Sequence, residues 1–382
     1  MTTINTIKSK IGSNLPIVIK QMQSILIASL FAISMILVPL GTATAQAVKW
    51  HPGHYLSLVD NGKYNPDYMN KVYNELDQTP ALRGVMVRYA WAELETGKDV
   101  YNFANISKLL KELAAQKKRL VILLEIKVST PDASQVIVPN YLKTAAYDGG
   151  LFPFTNDNLG AVGGYGIRLW NKAVHDRMIS LVRALGKRFN SNPYFEGIGF
   201  TETSMGDPKI PLTSTTLETY YNNLLNINKQ MRVHFPNTMT FQYANFPRKI
   251  VQSYVDTFKT TATALGGPDV FPEEPGLLYP GNKYSPPGLY PYMPKLSGTL
   301  PLVIQVEKPN YENTRWDGTG HQPTVNELLK FARDNLQVNY IFWVRTPEYY
   351  PKVLELLNGN AQKSTPSGGL KSACPAVYPS CM

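Results

Sequence analysis

Between residues 50 and 358 short apolar runs alternate with longer amphipathic stretches, and this alternation limits the possible folds more than any other feature of the sequence. The runs are rich in Val, Ile, Leu and aromatic residues and lack sustained polar alternation, which is typical of parallel strands buried on both faces. Eight such strands separated by helices favour an α/β fold, a (β/α)8 barrel of the TIM type, over an open sheet. The predicted strands cover residues 54–59, 82–89, 120–126, 197–201, 238–243, 269–271, 302–306 and 340–344.

The amphipathic stretches predict helices between these strands, because their apolar side chains recur at helical spacing. Two connections, residues 127–167 and 273–300, are too long for simple turns and are rich in Gly, Pro and aromatic residues. We expect both to be loop insertions at the C-terminal face of the barrel, where they form a lid or wall. The predicted helices cover residues 66–76, 106–116, 169–189, 216–235, 248–265, 325–336 and 350–357.

The first 47 residues are typical of a secretory signal peptide. Lys8, Lys10 and Lys20 precede an apolar run over residues 25–40, and the small-residue site Ala45-Gln46-Ala47 follows. This order predicts cleavage after residue 47 and export, so that the mature protein is secreted or periplasmic without stable membrane insertion. The apolar run is also close to the length of a short membrane span. Anchoring by an uncleaved N-terminal segment is therefore the alternative.

Residues 48–360 are predicted to form one barrel domain, and residues 361–382 a flexible C-terminal tail rich in Ser, Pro, Gly and Lys. Cys374 and Cys381 both lie in this tail. In an oxidising compartment they are expected to form a disulfide, whereas in a reducing one they would be free thiols.

Composition excludes several classes of protein. A hydrophobic content of 43% supports a full core and excludes a disordered chain. The net charge is +10, but basic doublets such as Lys117-Lys118 are scattered, so no nucleic-acid partner is predicted. The five His residues are dispersed and no phosphate-binding glycine motif begins a helix after a strand, so neither a metal nor a cofactor is expected. The oligomeric state is left open.

Two glutamates stand where strands of the predicted barrel end. The fourth strand runs into Glu202 and the seventh into Glu307, and working residues of such barrels lie at the C-terminal strand ends. Glycoside hydrolysis needs two carboxyls across one pocket, one donating a proton to the leaving oxygen and the other attacking the anomeric carbon or activating water. A separation of about 5–5.5 Å indicates a retaining route, and about 6.5–9.5 Å an inverting one. The alternative for each glutamate is a structural salt bridge.

Further candidates lie at neighbouring strand ends. Glu125, inside the third predicted strand, either points into the barrel mouth or pairs with a cation such as Arg88. Asn245 follows the fifth strand and is, with Glu125, a second-tier candidate. Aromatic rings can stack on the C–H faces of sugars, although about half of them are expected to pack in the core. Such rings include Trp91, Tyr243, Trp316 and Trp343.

The segment from Arg88 through Trp91 to Tyr101 and Phe103 resembles the second-strand region of clan A glycoside hydrolases. The approach to Glu202 through Asn192-Pro193 and the run Gln305-Val306-Glu307 are similar to the acid/base and nucleophile strands of that clan. The resemblance implies a (β/α)8 barrel with Glu202 as acid/base and Glu307 as nucleophile in a retaining mechanism. It also implies that Arg88 supports the nucleophile and that Trp91 and Trp343 stack on the substrate or pack.

One departure from the clan lies beside the acid/base. Thr201 directly precedes Glu202, where the clan usually has an Asn that holds a sugar hydroxyl; Thr can donate only one hydrogen bond. The leading hypothesis is an exported hydrolase of O-glycosidic bonds in a poly- or oligosaccharide, with Thr201 and Tyr243 among its substrate-binding residues. The alternative is a non-catalytic carbohydrate-binding or envelope-associated protein on a degenerate barrel.

Overall fold

Eight parallel strands close into a barrel in the computed structural model, which describes residues 47–59, 61–132, 137–155 and 161–382. The strands pair in chain order, and the last returns to the first through partners such as Phe342 and Tyr55. The predicted (β/α)8 barrel is therefore confirmed. The strands are β1 (Gly53–Leu58), β2 (Leu82–Tyr89), β3 (Arg119–Leu124), β4 (Phe195–Phe200), β5 (Met239–Tyr243), β6 (Ala264–Gly267), β7 (Leu302–Val306) and β8 (Tyr340–Val344).

The continuous apolar runs arise because each barrel strand is buried on both faces. In β3, Val121 and Leu123 belong to the cluster that fills the barrel interior, whereas Leu120 and Ile122 belong to the cluster between barrel and helices. Successive side chains point to opposite faces of a strand, so one run supplies both layers. The interior is a packed core, as in other barrels of this type.

Helices surround the barrel, and their starts follow ordinary capping rules. Asn65, for example, caps the first helix by accepting the backbone N–H groups of Asp67 and Tyr68. The helices are α1 (Pro66–Gln78), α2 (Ala104–Ala115), α3 (Lys172–Phe189), α4 (Ser214–His234), α5 (Arg248–Thr261), α6 (Val325–Lys330, continued by a π-helical turn over Phe331–Asn335) and α7 (Tyr350–Leu357). Short helical segments are Trp91–Leu94, Pro275–Leu278, Met293–Leu296, Lys308–Glu312 and Asn360–Lys363, with 3-10 turns at Asn61–Tyr64, Asn140–Lys143, Ala145–Tyr147 and Tyr290–Tyr292.

The sixth strand differs from its prediction. The helix expected over residues 248–265 ends at Thr261, and β6 lies at Ala264–Gly267 instead of residues 269–271. A Gly-Gly pair is unusual in a strand, but a Cβ on Gly266 would lie 2.6 Å from Cδ1 of Tyr243. Close packing against β5 therefore explains the glycine, and the correction moves Asp269 from a strand to the loop at the barrel mouth.

Insertions cover the C-terminal face of the barrel. In the described part of the long β3–β4 connection, strands Lys127–Val128, Leu151–Thr155 and Gly164–Ile167 form an antiparallel sheet with Asp207–Pro208. The β6–β7 connection carries only short helices. A separate hairpin joins strands Glu95–Gly97 and Val100–Tyr101 after β2.

Residues 361–382 do not form the flexible tail that was predicted, because they pack against the N-terminal end of the barrel. The Val48 N–H donates to the Ser380 carbonyl at 3.0 Å. Tyr378 is buried edge-on against Trp50, which itself packs on Tyr340 at the start of β8. The expected disulfide, Cys374–Cys381, is present within this segment. The C-terminal segment is thus part of the folded domain, and its Leu370 and Tyr378 join the core.

The predicted signal peptide, residues 1–47, lies outside the described residues except for Ala47. Within the described ranges, no helix combines the length and apolar character needed to cross a membrane.

Candidate active site

The two predicted glutamates both lie at the C-terminal mouth of the barrel. Glu202 follows β4 by two residues, and Glu307 follows β7 directly. Each side chain is about a quarter exposed, at 27% and 25%, so both carboxyls reach the solvent-accessible surface of the mouth. Parallel strands deliver the groups at their carboxyl ends to one face, which is why residues 105 positions apart in sequence meet here.

Glu202 is held by one cation and one amide. Its Oε1 lies 2.8 Å from Nζ of Lys127, and its Oε2 accepts a hydrogen bond of 2.8 Å from Nδ2 of Asn245. The Asn245 amide is oriented in turn because its oxygen accepts the backbone N–H groups of Ser204 and Phe246. Asn245, a second-tier candidate in the sequence, thus fixes Glu202, and Lys127 is a contact that was not predicted.

Glu307 is held from the opposite side of the mouth. Its Oε1 accepts a hydrogen bond of 2.9 Å from Nη2 of Arg88 and a second from Nε2 of Gln305. Burial raises the pKa of Glu307 above its ordinary value; the positive charge of Arg88 opposes this shift, and the negative charge of Glu202 adds to it. The two carboxylates are therefore close enough for their charges to interact.

Arg88 also reaches the other acidic candidate, Glu125. Its Nη1 lies 3.8 Å from Oε1 of Glu125, whose side chain is 17% exposed. Burial raises the pKa of Glu125 and the Arg88 charge opposes the rise. The sequence left two alternatives for Glu125, and in the structure its carboxylate pairs with Arg88.

A further acidic side chain at the mouth, Asp269, was not predicted as a site residue. It lies two residues beyond β6, and its Oδ1 accepts a hydrogen bond of 3.1 Å from Nδ2 of Asn310. Burial and the negative charges of Glu202 and Glu307 raise its pKa to about 8, against the Asn310 hydrogen bond and the Lys127 charge. The residue was missed because the sequence predicted a strand over residues 269–271, whereas the strand ends at Gly267.

Thr201 and Tyr243, expected to contact substrate, are both buried. The Thr201 hydroxyl accepts the N–H of Ile126 at 3.1 Å, so it serves the backbone. Tyr243 points into the barrel interior, where its hydroxyl donates to Oε1 of Gln305 at 3.1 Å. Gln305 in turn donates to Glu307, so a chain of two hydrogen bonds connects the Tyr243 hydroxyl to this carboxylate. The direct contact of Tyr243 with a sugar, expected from the sequence, is corrected to an indirect role.

Trp91 and Trp343 are buried outside the barrel interior, in the layer between barrel and helices, and present no open face to a ligand. Trp343 has no exposed surface, and its Nε1 donates to Nδ1 of His54 at 3.1 Å. It points toward the helices because Phe342 before it points into the barrel. Trp91 is 1% exposed and its Nε1 donates to Glu95. Of stacking and packing, the structure shows packing for both.

The exposed tryptophan at the mouth is Trp316, on the loop that follows β7. Its side chain is 72% exposed, its backbone N–H donates to Glu274 at 3.1 Å, and its ring packs edge-on against Phe271. Since Phe271 follows Asp269 by two residues, Trp316 lies on the rim near the carboxyls. Among the residues that the structure describes, no group of three His, Cys, Asp or Glu side chains is arranged to hold a metal ion.

Comparison with solved structures finds the same barrel architecture in other proteins. The catalytic domain of a β-amylase from Paenibacillus polymyxa aligns over 81% of this chain and 98% of that chain, with a TM-score of 0.53 and 7% identity. A β-galactosidase from Bacillus circulans sp. alkalophilus aligns with a TM-score of 0.53 and 9% identity, over 77% of this chain and 50% of that chain. The present chain therefore spans about half the length of that second enzyme.

The similarity to these two structures concerns the fold, a (β/α)8 barrel. Both neighbours are glycoside hydrolases, and at such low identity they establish the barrel alone. The resemblance to clan A glycoside hydrolases that the sequence suggested is confirmed at the level of the fold. No protein-family model matches the sequence, and a search of curated proteins found no match.

Proposed function

We propose that this protein is a glycoside hydrolase that cleaves O-glycosidic bonds of a poly- or oligosaccharide with two carboxyl groups. The observation that carries the proposal is the pair Glu202 and Glu307: both carboxyls lie at one barrel mouth, each is partly exposed, and each is held by its own partners. A glycosidase-like barrel supports the same conclusion.

In the proposed first step, Glu307 attacks the anomeric carbon while protonated Glu202 gives its proton to the leaving oxygen. The bond between the anomeric carbon and that oxygen breaks, and an ester forms between the sugar and Glu307. In the second step, Glu202 takes a proton from water and the resulting hydroxide attacks the anomeric carbon, which releases Glu307. Both steps proceed with inversion, so the configuration is retained overall.

The contacts of the two glutamates favour this assignment of roles. Arg88 places a positive charge 2.9 Å from Glu307, which favours the ionised form that a nucleophile requires. Lys127 lies 2.8 Å from Glu202 and stabilises the carboxylate that remains between the two steps. The amide of Asn245 donates to the same residue in either step.

Trp316 is the proposed contact for a sugar ring outside the reaction centre. Its indole is largely exposed, and its loop is fixed because Asn313 Oδ1 accepts the N–H groups of Arg315 and Gly320. A rigid, exposed aromatic ring loses little entropy when a sugar stacks on it. Export to the cell exterior or periplasm remains part of the proposal, and the disulfide Cys374–Cys381 is consistent with it.

One observation favours the second candidate function, non-catalytic carbohydrate binding. The Thr201 hydroxyl is engaged with the backbone of Ile126, at the position where the clan resemblance implies a residue that holds a sugar hydroxyl. A protein of this kind would bind a glycan without cleaving it. Binding and cleavage must therefore be measured on the same preparation.

The deciding experiment is a panel of poly- and oligosaccharides assayed for release of reducing ends, with Glu202→Gln and Glu307→Gln as variants. Each substitution keeps the side-chain shape and removes the ionisable group, so hydrolysis is expected to fall by roughly 10³-fold or more. Glu218→Gln, at an exposed position on α4, is the matched control. Wild-type rates in both site variants would refute the mechanism, and binding without cleavage by the wild type would favour the second function.

A further inference from the structure

The carboxyl of Asp269, at the mouth, has one oxygen in a hydrogen bond and one oxygen without a hydrogen bond to any described residue. Its Oδ1 accepts the Nδ2 group of Asn310 at 3.1 Å. Its Oδ2 takes part in no hydrogen bond with the residues that the structure describes. The side chain is only partly buried, so Oδ2 has access to the mouth.

Asn310 links this carboxyl to the proposed nucleophile. The amide oxygen of Asn310 accepts the backbone N–H of Glu307 at 2.6 Å and that of Val270 at 3.2 Å. Asn310 is fully buried. Because these two N–H groups fix its oxygen, its NH2 group faces Asp269. One buried amide thus sets the relative position of Asp269 and the backbone of Glu307.

The groups around Asp269 favour its neutral form. Glu202 after β4 and Glu307 after β7 bring negative charge, whereas Lys127 after β3 brings positive charge. The buried phenols of Tyr243 and Tyr290 also face it, and both have pKa values well above their ordinary range, so they remain neutral near pH 7. With burial added, the pKa of Asp269 rises to about 8. Near pH 7 the carboxyl of Asp269 therefore favours its neutral form.

We propose that Asp269 is a positioning residue of this site, which orients Glu307 through Asn310 and presents a neutral carboxyl O–H to a saccharide hydroxyl in the mouth. The role in substrate placement rests on the proposed hydrolase function. The neutral state of Asp269, and its dependence on the charges of Glu202 and Glu307, does not rest on that function and can be tested without any substrate.

The first test follows the carboxyl carbons of ¹³C-labelled aspartate by NMR from pH 4 to pH 10 in the whole protein. The resonance that Asp269→Asn removes is expected to titrate with a midpoint near pH 8, and the midpoint is expected to fall in Glu202→Gln and in Glu307→Gln because each removes a negative charge. Asp256→Asn, an exposed position on α5, is the matched control. A midpoint near 4, or one that neither glutamine variant moves, would overturn the proposal.

The second test uses the pH profile of kcat/KM on a glycan that the panel identifies. Asn can donate with the same shape but cannot ionise, so Asp269→Asn is expected to shift the alkaline limb of the profile and to leave only the decline that follows from loss of the Glu202 proton. Asp269→Leu cannot donate and is expected to raise KM by about tenfold, the effect of one lost hydrogen bond to substrate. An alkaline limb that is the same in Asp269→Asn as in the wild type would refute the placement role. If no glycan is cleaved, the hydrolase proposal fails, whereas the NMR titration still decides the state of Asp269.

Discussion

At the scale of the single residue, Arg88 connects two acidic groups of the mouth. Its Nη2 bonds Glu307 at 2.9 Å while its Nη1 lies 3.8 Å from Glu125. A planar guanidinium can direct separate N–H groups at two carboxylates, which a lysine ammonium cannot do with the same geometry. Arg88 therefore sets both the position and the charge state of the proposed nucleophile.

Replacing Arg88 by Met is expected to shift the acidic limb of the kcat/KM profile to higher pH. The Arg88 charge holds down a pKa of Glu307 that burial raises, so without it Glu307 takes up its proton at a higher pH and loses the nucleophilic form earlier. The pH profile of hydrolysis measures this shift. Arg333→Met, which removes a surface cation paired with Asp334, should leave the limb in place; an unmoved limb in Arg88→Met would contradict the role of Arg88.

The sequence could predict Glu202, Glu307 and Arg88 because their placement depends only on where a strand ends. The direction of a side chain depends on the register of its strand, and a shift of one residue reverses it. For this reason the sequence left stacking and packing both open for Trp343, which shares β8 with Phe342 and points the opposite way. Lys127 was missed because its contact with Glu202 arises from a sheet in the insertion that no local pattern indicates.

At the scale of the element, β6 is a strand whose position the sequence pattern did not predict. The strands β2, β7 and β8, which are rich in large apolar residues, were predicted with their observed bounds. β6 has four residues, and two of them are the glycines 266 and 267. A Cβ on Gly267 would lie 2.8 Å from Cδ1 of Ile304 in β7. The need for glycine is set by neighbouring strands that are distant in sequence, so it could not be inferred locally.

The loop after β7 carries Trp316, and its proposed contact with a sugar can be tested by fluorescence. The protein has five Trp residues, of which Trp50, Trp91 and Trp343 are buried and Trp170 is partly buried, so Trp316 dominates quenching by acrylamide. Binding of an oligosaccharide to the Glu307→Gln variant is expected to protect this ring from quenching.

Trp316→Ala should weaken oligosaccharide binding by about tenfold, the equivalent of one aromatic stacking contact. Binding is measured in the Glu307→Gln background, so that cleavage does not interfere. Val233→Ala removes another exposed apolar side chain, on α4, and is expected to leave the affinity unchanged. Equal loss in both variants, or none in Trp316→Ala, would place the sugar elsewhere.

At the scale of the whole molecule, the two ends of the barrel have opposite characters. The C-terminal mouth holds acidic groups that remain partly open, whereas the N-terminal end is closed by residues 48–50 and the C-terminal segment. In that closed end the carboxylate of Glu196 has no exposed surface. Its Oε1 accepts the backbone N–H of His51 at 2.7 Å and the hydroxyl of Tyr340 at 2.8 Å, and Nη1 of Arg119 lies 3.6 Å from Oε2.

Glu196 joins residues before β1 and at the starts of β3, β4 and β8, so it ties the barrel together at this end. Burial by itself would raise its pKa, but the hydrogen bond and charge of His51, the charge of Arg119 and the Tyr340 hydroxyl bring it below the ordinary value of 4.5. A depressed native pKa means that the ionised group stabilises the fold above about pH 4.5. This stabilisation is lost as the pH falls through the native value.

Glu196→Gln is therefore expected to lower the free energy of unfolding by about 3 kcal/mol at pH 7, because it leaves Arg119 without its buried partner. Below its native pKa the wild-type carboxyl is itself protonated, so the difference between variant and wild type should shrink as the pH falls from 7 to 3. Urea unfolding at both pH values measures the two differences, with Glu218→Gln as the surface control. An equal deficit at pH 7 and pH 3 would show that the loss comes from packing, and that the charge of Glu196 does not hold this end of the barrel closed.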